Sequence, residues 1–305
     1  MPRRDTEAAT ATSKVSDMLL HPHTRNQYDS LIREPAHALI ISGRAGSGKY
    51  SLATDLISKI IGVQDAHKYQ FFMEIRASDP NKATISVEQI RTINDFVKRT
   101  TYGQKPIRRA VLIAEAELMT ESAQNALLKL LEEPPSDTII VLTTSTSSVL
   151  LPTVVSRSQM IDVKPVDYDQ AGNWFSTHGH YSQSDITKAY AISDGRVGLM
   201  SALLENNDEH PLIVSIEQAK MLLSQSPYER LLSVDNLSKN KQQLHELLEG
   251  LTCTLLGAMK HTVSGSSISQ TNSYFNKGQS VQKARQAIAQ NANAKLVLTD
   301  LFLKL

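Results

Sequence analysis

One stretch restricts the fold more than any other. Residues 38–42, Ala-Leu-Ile-Ile-Ser, form a short aliphatic run that leads directly into Gly43-Arg44-Ala45-Gly46-Ser47-Gly48-Lys49-Tyr50, and helix-forming residues follow. A buried strand, a glycine-rich turn and a helix in that order make a phosphate-binding loop, with the pattern G-x-x-x-x-G-K-[ST]. Gly43, Gly48 and Lys49 satisfy the pattern, and Gly46 adds a further flexible link. The glycines let backbone N–H groups converge on phosphate oxygens, the helix start adds its positive dipole end, and Lys49 supplies a point charge. The last position of the pattern departs from it. Tyr50 stands where a Ser or Thr hydroxyl would ligate magnesium, and its phenol oxygen hangs too far from the backbone to take that place. Ser51 is one residue on, about 100° around the helix, and faces elsewhere.

Such a loop belongs to a parallel sheet covered by crossover helices, and the pattern over residues 31–164 agrees. Short β-branched or aliphatic runs at 38–42, 70–76, 109–114, 138–144 and 159–164 predict five buried parallel strands. Helices are expected at 50–61, 87–99 and 121–133. In the last of these, Ala123, Ala126, Leu127, Leu130 and Leu131 share one face, Thr120 supplies an N-cap, and Pro134-Pro135 forbids continuation. The expected fold is therefore α/β over 17–165, with a five-stranded parallel sheet and flanking helices. After Pro165 the texture becomes helical only: a small block over 166–210, broken at Gly195, then an all-helical region over 211–305. The stretch 206–210 followed by Pro211 reads as a linker. Beyond it three or four helices are expected, with 264–279 a Ser/Asn/Gly loop and 281–305 a single final helix. The apolar patch at the end of that helix, Leu296, Val297, Leu298, Leu301, Phe302 and Leu303, packs either in the chain's own core or against another subunit. Residues 1–16, rich in Ala, Thr and charge, read as a disordered arm.

The run at 109–113 ends in Ala114-Glu115, where a nucleotide-hydrolysing site would carry a carboxylate pair. The first of these would hold the magnesium shell, and alanine stands there. Glu115 remains at the position of a water-activating carboxylate. Two separate segments, at Tyr50 and Ala114, thus lack the two groups that serve one metal ion.

Composition narrows the partners. The 305 residues carry 32 basic and 31 acidic side chains, a net charge of +1, so a chain that wraps DNA by itself is not expected. Contact with nucleic acid would be local or shared. Cys253 is the one cysteine, which rules out an internal disulfide and a four-cysteine zinc site and fits a reducing cytoplasm. No run reaches the roughly 18 apolar residues that a membrane helix needs. No set of paired aspartates suggests a two-metal nucleotidyl site. His21-Pro22-His23 reads as a capped turn rather than a metal site, and Arg108-Arg109, with Arg99 and Lys105, as exposed loop charge rather than a DNA contact.

Three stretches carry a family resemblance. They are His37–Gly43, the segment from Met119 to Pro135 that includes Gln124-Asn125-Ala126-Leu127-Leu128-Lys129 and Glu132-Glu133-Pro134-Pro135, and Leu150–Ser158, which ends Ser156-Arg157-Ser158. Together they resemble the AAA+ module of bacterial DNA polymerase III clamp-loader subunits. The third resembles that family's Ser-Arg-Cys motif, with Ser158 in place of the cysteine. The resemblance implies that Arg157 is an arginine finger, reaching a nucleotide held by a neighbouring subunit. It implies that Thr144 lies in the sensor-1 region. The sensor-2 arginine is replaced by Gly198, and Arg196 is expected to face another way. It also implies a lid for 166–210 and an oligomerising collar for 211–305, and it raises the possibility that the helix carrying Glu88 and Arg91 faces DNA.

A damaged site beside a retained Arg157 resembles the delta-prime branch of the family more than the gamma/tau motor. Residues 61–69 lack the cysteines of the motor's zinc module, and the long extension of tau does not follow the third block. The resemblance then implies a non-catalytic accessory subunit of a DNA-directed DNA polymerase holoenzyme. Its partners would be gamma/tau-type and delta-type subunits in a hetero-pentamer, the sliding clamp, and primed DNA touched by the assembly. No cofactor is required, ATP binding is weak or absent, and Gly43, Gly46, Gly48, Lys49, Ser51 and Thr144 are relics of a nucleotide site, with Glu115 a vestigial carboxylate. The alternative is an active ATPase, either a gamma/tau-type motor or another AAA+ DNA-processing ATPase.

Overall fold

The computed structural model describes residues 18–77, 84–264, 268–290 and 292–305. The expected arm at 1–16 lies outside them. Five parallel strands, β1 (Ala38–Ser42), β2 (Phe72–Ile75), β3 (Arg109–Ile113), β4 (Thr138–Thr144) and β5 (Gln159–Asp162), form one sheet in the order β2-β3-β4-β1-β5. Three are shorter than their sequence runs: 70–76 yields four paired residues, 109–114 stops before Ala114, and 159–164 stops at Asp162. The outer residues of each run leave the ladder to form loops.

The aliphatic runs are continuous because both sheet faces are covered. Ile40, Val111, Ile113, Ile140 and Leu142 meet α3 (Val87–Val97) and α4 (Glu121–Glu132). The alternating Leu39, Ile41, Ala110, Leu112, Ile139 and Val141 meet α1 (Pro22–Arg33) and α2 (Lys49–Ile61). Each such Leu or Ile contributes about 1.5–3 kcal/mol on burial, which makes these faces the main store of stability in the module. Helix ends follow local chemistry. Ser86 and Gln89 close a capping box on α3, Thr120 caps α4 through Ala123 N–H at 3.2 Å, and Lys105 Nζ donates to the Lys59 and Ile60 carbonyls at the end of α2.

The N-terminal helix is fixed to the outer strand by one buried hydroxyl. Thr24 Oγ1 donates to Asp162 O at 2.8 Å and accepts from Lys164 N–H at 3.1 Å, so it clips α1 to β5. His21 caps α1 through His23 N–H at 3.2 Å, as the turn reading expected. Arg108-Arg109 is a correction. Arg109 opens β3 at 2% exposure and donates to the carbonyls of Val97 and Arg99, while Asp137 accepts from it at 3.4 Å. Arg108 is held by Thr101 and the Lys105 carbonyl. These charges staple α3 to the sheet and are not free loop charge.

The helical remainder starts after β5 with α5 (Pro152–Val155) already behind it in the chain. A small block follows: α6 (Tyr168–His178), α7 (Gln183–Ser193) and α8 (Val197–Leu204). Then come α9 (Pro211–Ser224), α10 (Pro227–Leu237), α11 (Lys241–Ser264), α12 (Ile268–Ala289) and α13 (Ala294–Lys304). Five helices replace the expected three or four. The expected loop at 264–279 is largely α12, and the expected single helix at 281–305 is divided between α12 and α13, where Asn293 caps the second. Leu298, Leu301 and Phe302 join Leu244, Leu248 and Leu251 in the core of this region, which settles their packing in favour of the chain's own core. Among the described residues no helix is long and apolar enough to cross a membrane.

Candidate functional site

The phosphate loop sits where β1 meets α2. Gly43 N–H donates to Thr144 O at 3.0 Å, which fixes the loop's first turn to β4. Gly46 and Gly48 have φ of 78° and 85°, values that need glycine, and Gly48 is the N-cap of α2. The loop opens into a cleft of about 1990 Å³ between the sheet's C-terminal edge and helices α11 and α12. Gly46, Gly48, Lys49, Ser51 and Glu115 all line it, whereas Gly43, Thr144 and Arg157 do not.

Lys49 Nζ donates to Ser145 Oγ at 2.8 Å. Burial pulls the Lys49 pKa down, and the charges of Glu117, Glu115 and Glu249 pull it back. The hydroxyl facing this lysine is therefore Ser145's, one residue past Thr144. Thr144 is fully buried and its Oγ1 accepts from Thr146 N–H at 3.1 Å. Glu117 accepts from Ser145 N–H at 3.0 Å, and its other oxygen is buried with no hydrogen-bond partner among the described residues. Glu115 has φ of 54° and donates its N–H to Thr143 Oγ1 at 3.1 Å. Its carboxyl pKa is raised, first by the surrounding protein and then by Glu117, although part of the residue still meets solvent in the cleft.

Tyr50 turns toward β2. Its hydroxyl is 3.2 Å from Glu74 Oε2 and 3.2 Å from His67 Nε2, and the Arg76 guanidinium stands 4.4 Å from its ring centre. Burial, then Glu74, raises the phenol pKa. Ser51 is exposed on α2, and Ala114 is buried at 5% exposure. Among the described residues no group of three or more His, Cys, Asp or Glu side chains could hold a metal ion.

The block 166–210 meets the loop from outside. Arg196, expected to face away, is the N-cap of α8 and is 2% exposed. It donates to Ala45 O at 3.0 Å, Glu249 Oε1 at 2.9 Å, Ser193 O at 2.7 Å and Cys253 Sγ at 2.9 Å. Sequence reasoning missed Glu117, Ser145 and Glu249. Ser145 had a signal, since it ends the same strand run as Thr144; Glu249, on a helix 53 residues from Arg196, had none.

Arg157 follows α5 on the surface, with its side chain 37% exposed. It pairs with Glu132 Oε1 at 2.8 Å, at the end of α4, and donates to Thr153 O at 3.2 Å. Gln124 of α4 positions this segment by accepting from Leu151 N–H at 2.7 Å.

Comparison with known proteins points the same way over the sheet module. The family described as DNA polymerase III, delta subunit, matches residues 24–167. Delta-prime subunits of DNA polymerase III align as well: that of Haemophilus influenzae is 31% identical over 204 residues, 62% of this chain and 59% of the relative. That of Escherichia coli is 31% identical over 132 residues, 43% of this chain and 39% of the relative. Over this module the chain is similar to delta-prime-type clamp-loader subunits, and it spans about 39–59% of the length of these relatives in alignment. Its fold is that of a gamma-subunit-related protein of DNA polymerase III from Thermotoga maritima, with TM-score 0.53 at 18% identity, covering 92% of this chain and 97% of that one. That likeness in fold extends through the helices after β5.

Proposed function

We propose that this chain is a stationary member of a clamp-loading hetero-pentamer, which offers Arg157 to the ATP of a neighbouring gamma/tau-type subunit and does not run an ATP cycle itself. The observation that carries this reading is a contrast. Arg157 stands at the surface outside the chain's own cleft, while the hydroxyl at position 50 is committed to Glu74 and His67. An arginine supplied from the next subunit stabilises charge that develops on the transferring phosphoryl group. The donor set supports the same view, because it does not fit magnesium: Tyr50 points to β2 and Ala114 has no carboxylate.

With ATP bound in the neighbours, the ring grips and opens the sliding clamp, and hydrolysis on primed DNA releases it. Helices α9 to α13 serve as the collar. Tyr228 and Leu232 on α10 and Leu296 and Leu303 on α13 are 63–71% exposed, an apolar surface suited to adjoining subunits. A working ATPase is the second reading, favoured by Lys49 and Glu115 lining one cleft.

Two measurements test the proposal. ATP titration of the purified chain should show binding that is absent or indifferent to magnesium; tight, magnesium-strengthened binding would put the ATPase reading ahead. In a reconstituted loader, Arg157→Ala should cut ATP turnover at least about tenfold and abolish clamp loading. Turnover equal to wild type would end the finger role.

A further inference from the structure

The phosphate loop is gripped by its own lid. Leu199 N–H donates to Gly46 O at 2.8 Å, and Arg196 Nη1 donates to Ala45 O at 3.0 Å. Between these two bonds sits Gly198, against the loop's backbone. A Cβ at 198 would lie 2.9 Å from Gly46 O, 2.9 Å from Gly48 N and 3.0 Å from Gly48 Cα. These are main-chain atoms that cannot swing aside. No residue with a side chain fits at 198 while the two hydrogen bonds stand.

The same contact is held from behind by charge. Arg196 and Glu249 are 1% and 4% exposed in their side chains, and Glu249 also pairs with Arg285 of α12 at 2.9 Å. A guanidinium this deep is tolerated only with an opposing carboxylate and satisfied N–H groups, and here it has both. The network joins the loop (Ala45), the lid (Ser193, Arg196) and the collar helices (Glu249, Arg285) through one buried side chain.

We infer that residues 195–199 form a built-in latch, which holds α8 on the phosphate loop by direct backbone contact and which closes only because position 198 has no side chain. Gly46 meets the same need from the loop's side, since a Cβ there would lie 2.8 Å from Leu199 Cβ. This inference rests on the reading of the site given above, and its test is separable from that reading.

Amide hydrogen exchange on the full chain, followed in peptides covering 43–52, 195–204 and 138–144, tests it. Gly198→Ala attacks the latch sterically, and alanine is the better helix former, so a loosened loop in this variant cannot come from a weakened α8. Glu249→Gln attacks it electrically by leaving Arg196 without its counter-charge. Each variant should speed exchange at least about tenfold in 43–52 and 195–204, with the β4 peptide at the wild-type rate, as local opening requires. Arg285→Gln, which leaves the Arg196–Glu249 pair in place, should produce a smaller rise in the same two peptides. Unchanged exchange in 43–52 for Gly198→Ala overturns the latch, and so does an equal rise in 138–144. If Glu249→Gln does not fold, Gly198→Ala decides alone, because it leaves no buried charge unpaired. Either result leaves the proposed function standing; that reading falls if the wild-type chain binds ATP in a magnesium-strengthened manner or if the Arg157→Ala loader turns over ATP like wild type.

Discussion

A phenol at position 50 cannot be turned into a short hydroxyl by any rotamer, and in the fold it has taken partners on β2 and the preceding loop. That departure was legible in the sequence because a loop motif fixes what each position must do. Ala114 was legible for the same reason. Arg196 was not, because its role is set by Glu249 and Cys253, which arrive from a helix far along the chain. Arg109 was misread for a related reason. Next to Arg108 and Lys105 it looks like surface charge, yet the carbonyls that end α3 require a donor and Asp137 supplies the counter-charge. Asp137 gives a pH prediction. Burial alone would raise its carboxyl pKa, but hydrogen bonds from Thr101 and Thr138 and the charges of Arg109 and Arg108 hold it below the usual range. A depressed carboxyl adds stability that is fully present above the unfolded value, about 4, and is lost as pH falls through the lower folded value. Asp137→Asn should therefore lower the melting temperature at pH 7, and the gap to wild type should shrink as pH drops below that value. Thermal melts from pH 7 to pH 3 check this.

Helix and strand positions were readable where one local rule dominates. Residues 138–144 form β4 as expected, and α4 ends at Glu132, one residue before the expected 133 and just ahead of Pro134-Pro135. Thr120→Ala should cost about 1 kcal/mol by leaving an N–H at the start of α4 without its acceptor, seen as a lower urea midpoint with an unchanged slope. The reading failed in α12. Ser, Asn and Gly between 269 and 279 have weak helix propensity, and propensity argued for a loop. Packing holds the helix there through Tyr274, which rests on the helical core, and through the part that follows, where Val281 and Ala284 are buried and α12 lies along α11 and α13. The break before α13 had a signal that went unused, since Asn293 precedes a run of good helix formers and caps it through Lys295 and Leu296 N–H.

Taken across the molecule, the sheet module, the block 166–210 and the helices after it are joined at two polar centres: Arg196 with Glu249, and Asp194, which pairs with Arg44 at 3.3 Å and Lys260 at 2.6 Å. The collar's own core is closed by Leu298, Leu301 and Phe302, so its remaining exposed leucines are free to meet other chains. The double variant Leu232→Glu, Leu303→Glu should keep the wild-type melting temperature of the isolated chain. It should also fail to co-elute with partner subunits in size-exclusion chromatography, where wild type assembles; co-elution would show that this surface is not the joining face. The clip made by Thr24 has a different consequence. β5 is the last strand of the sheet, and an outermost strand offers its unpaired backbone groups to any extended peptide that passes. The hydroxyl of Thr24 takes up the carbonyl of Asp162 and the N–H of Lys164, so α1 lies where such a peptide would add. A small side chain on the first helix is thus a guard against edge-to-edge self-assembly into aggregates.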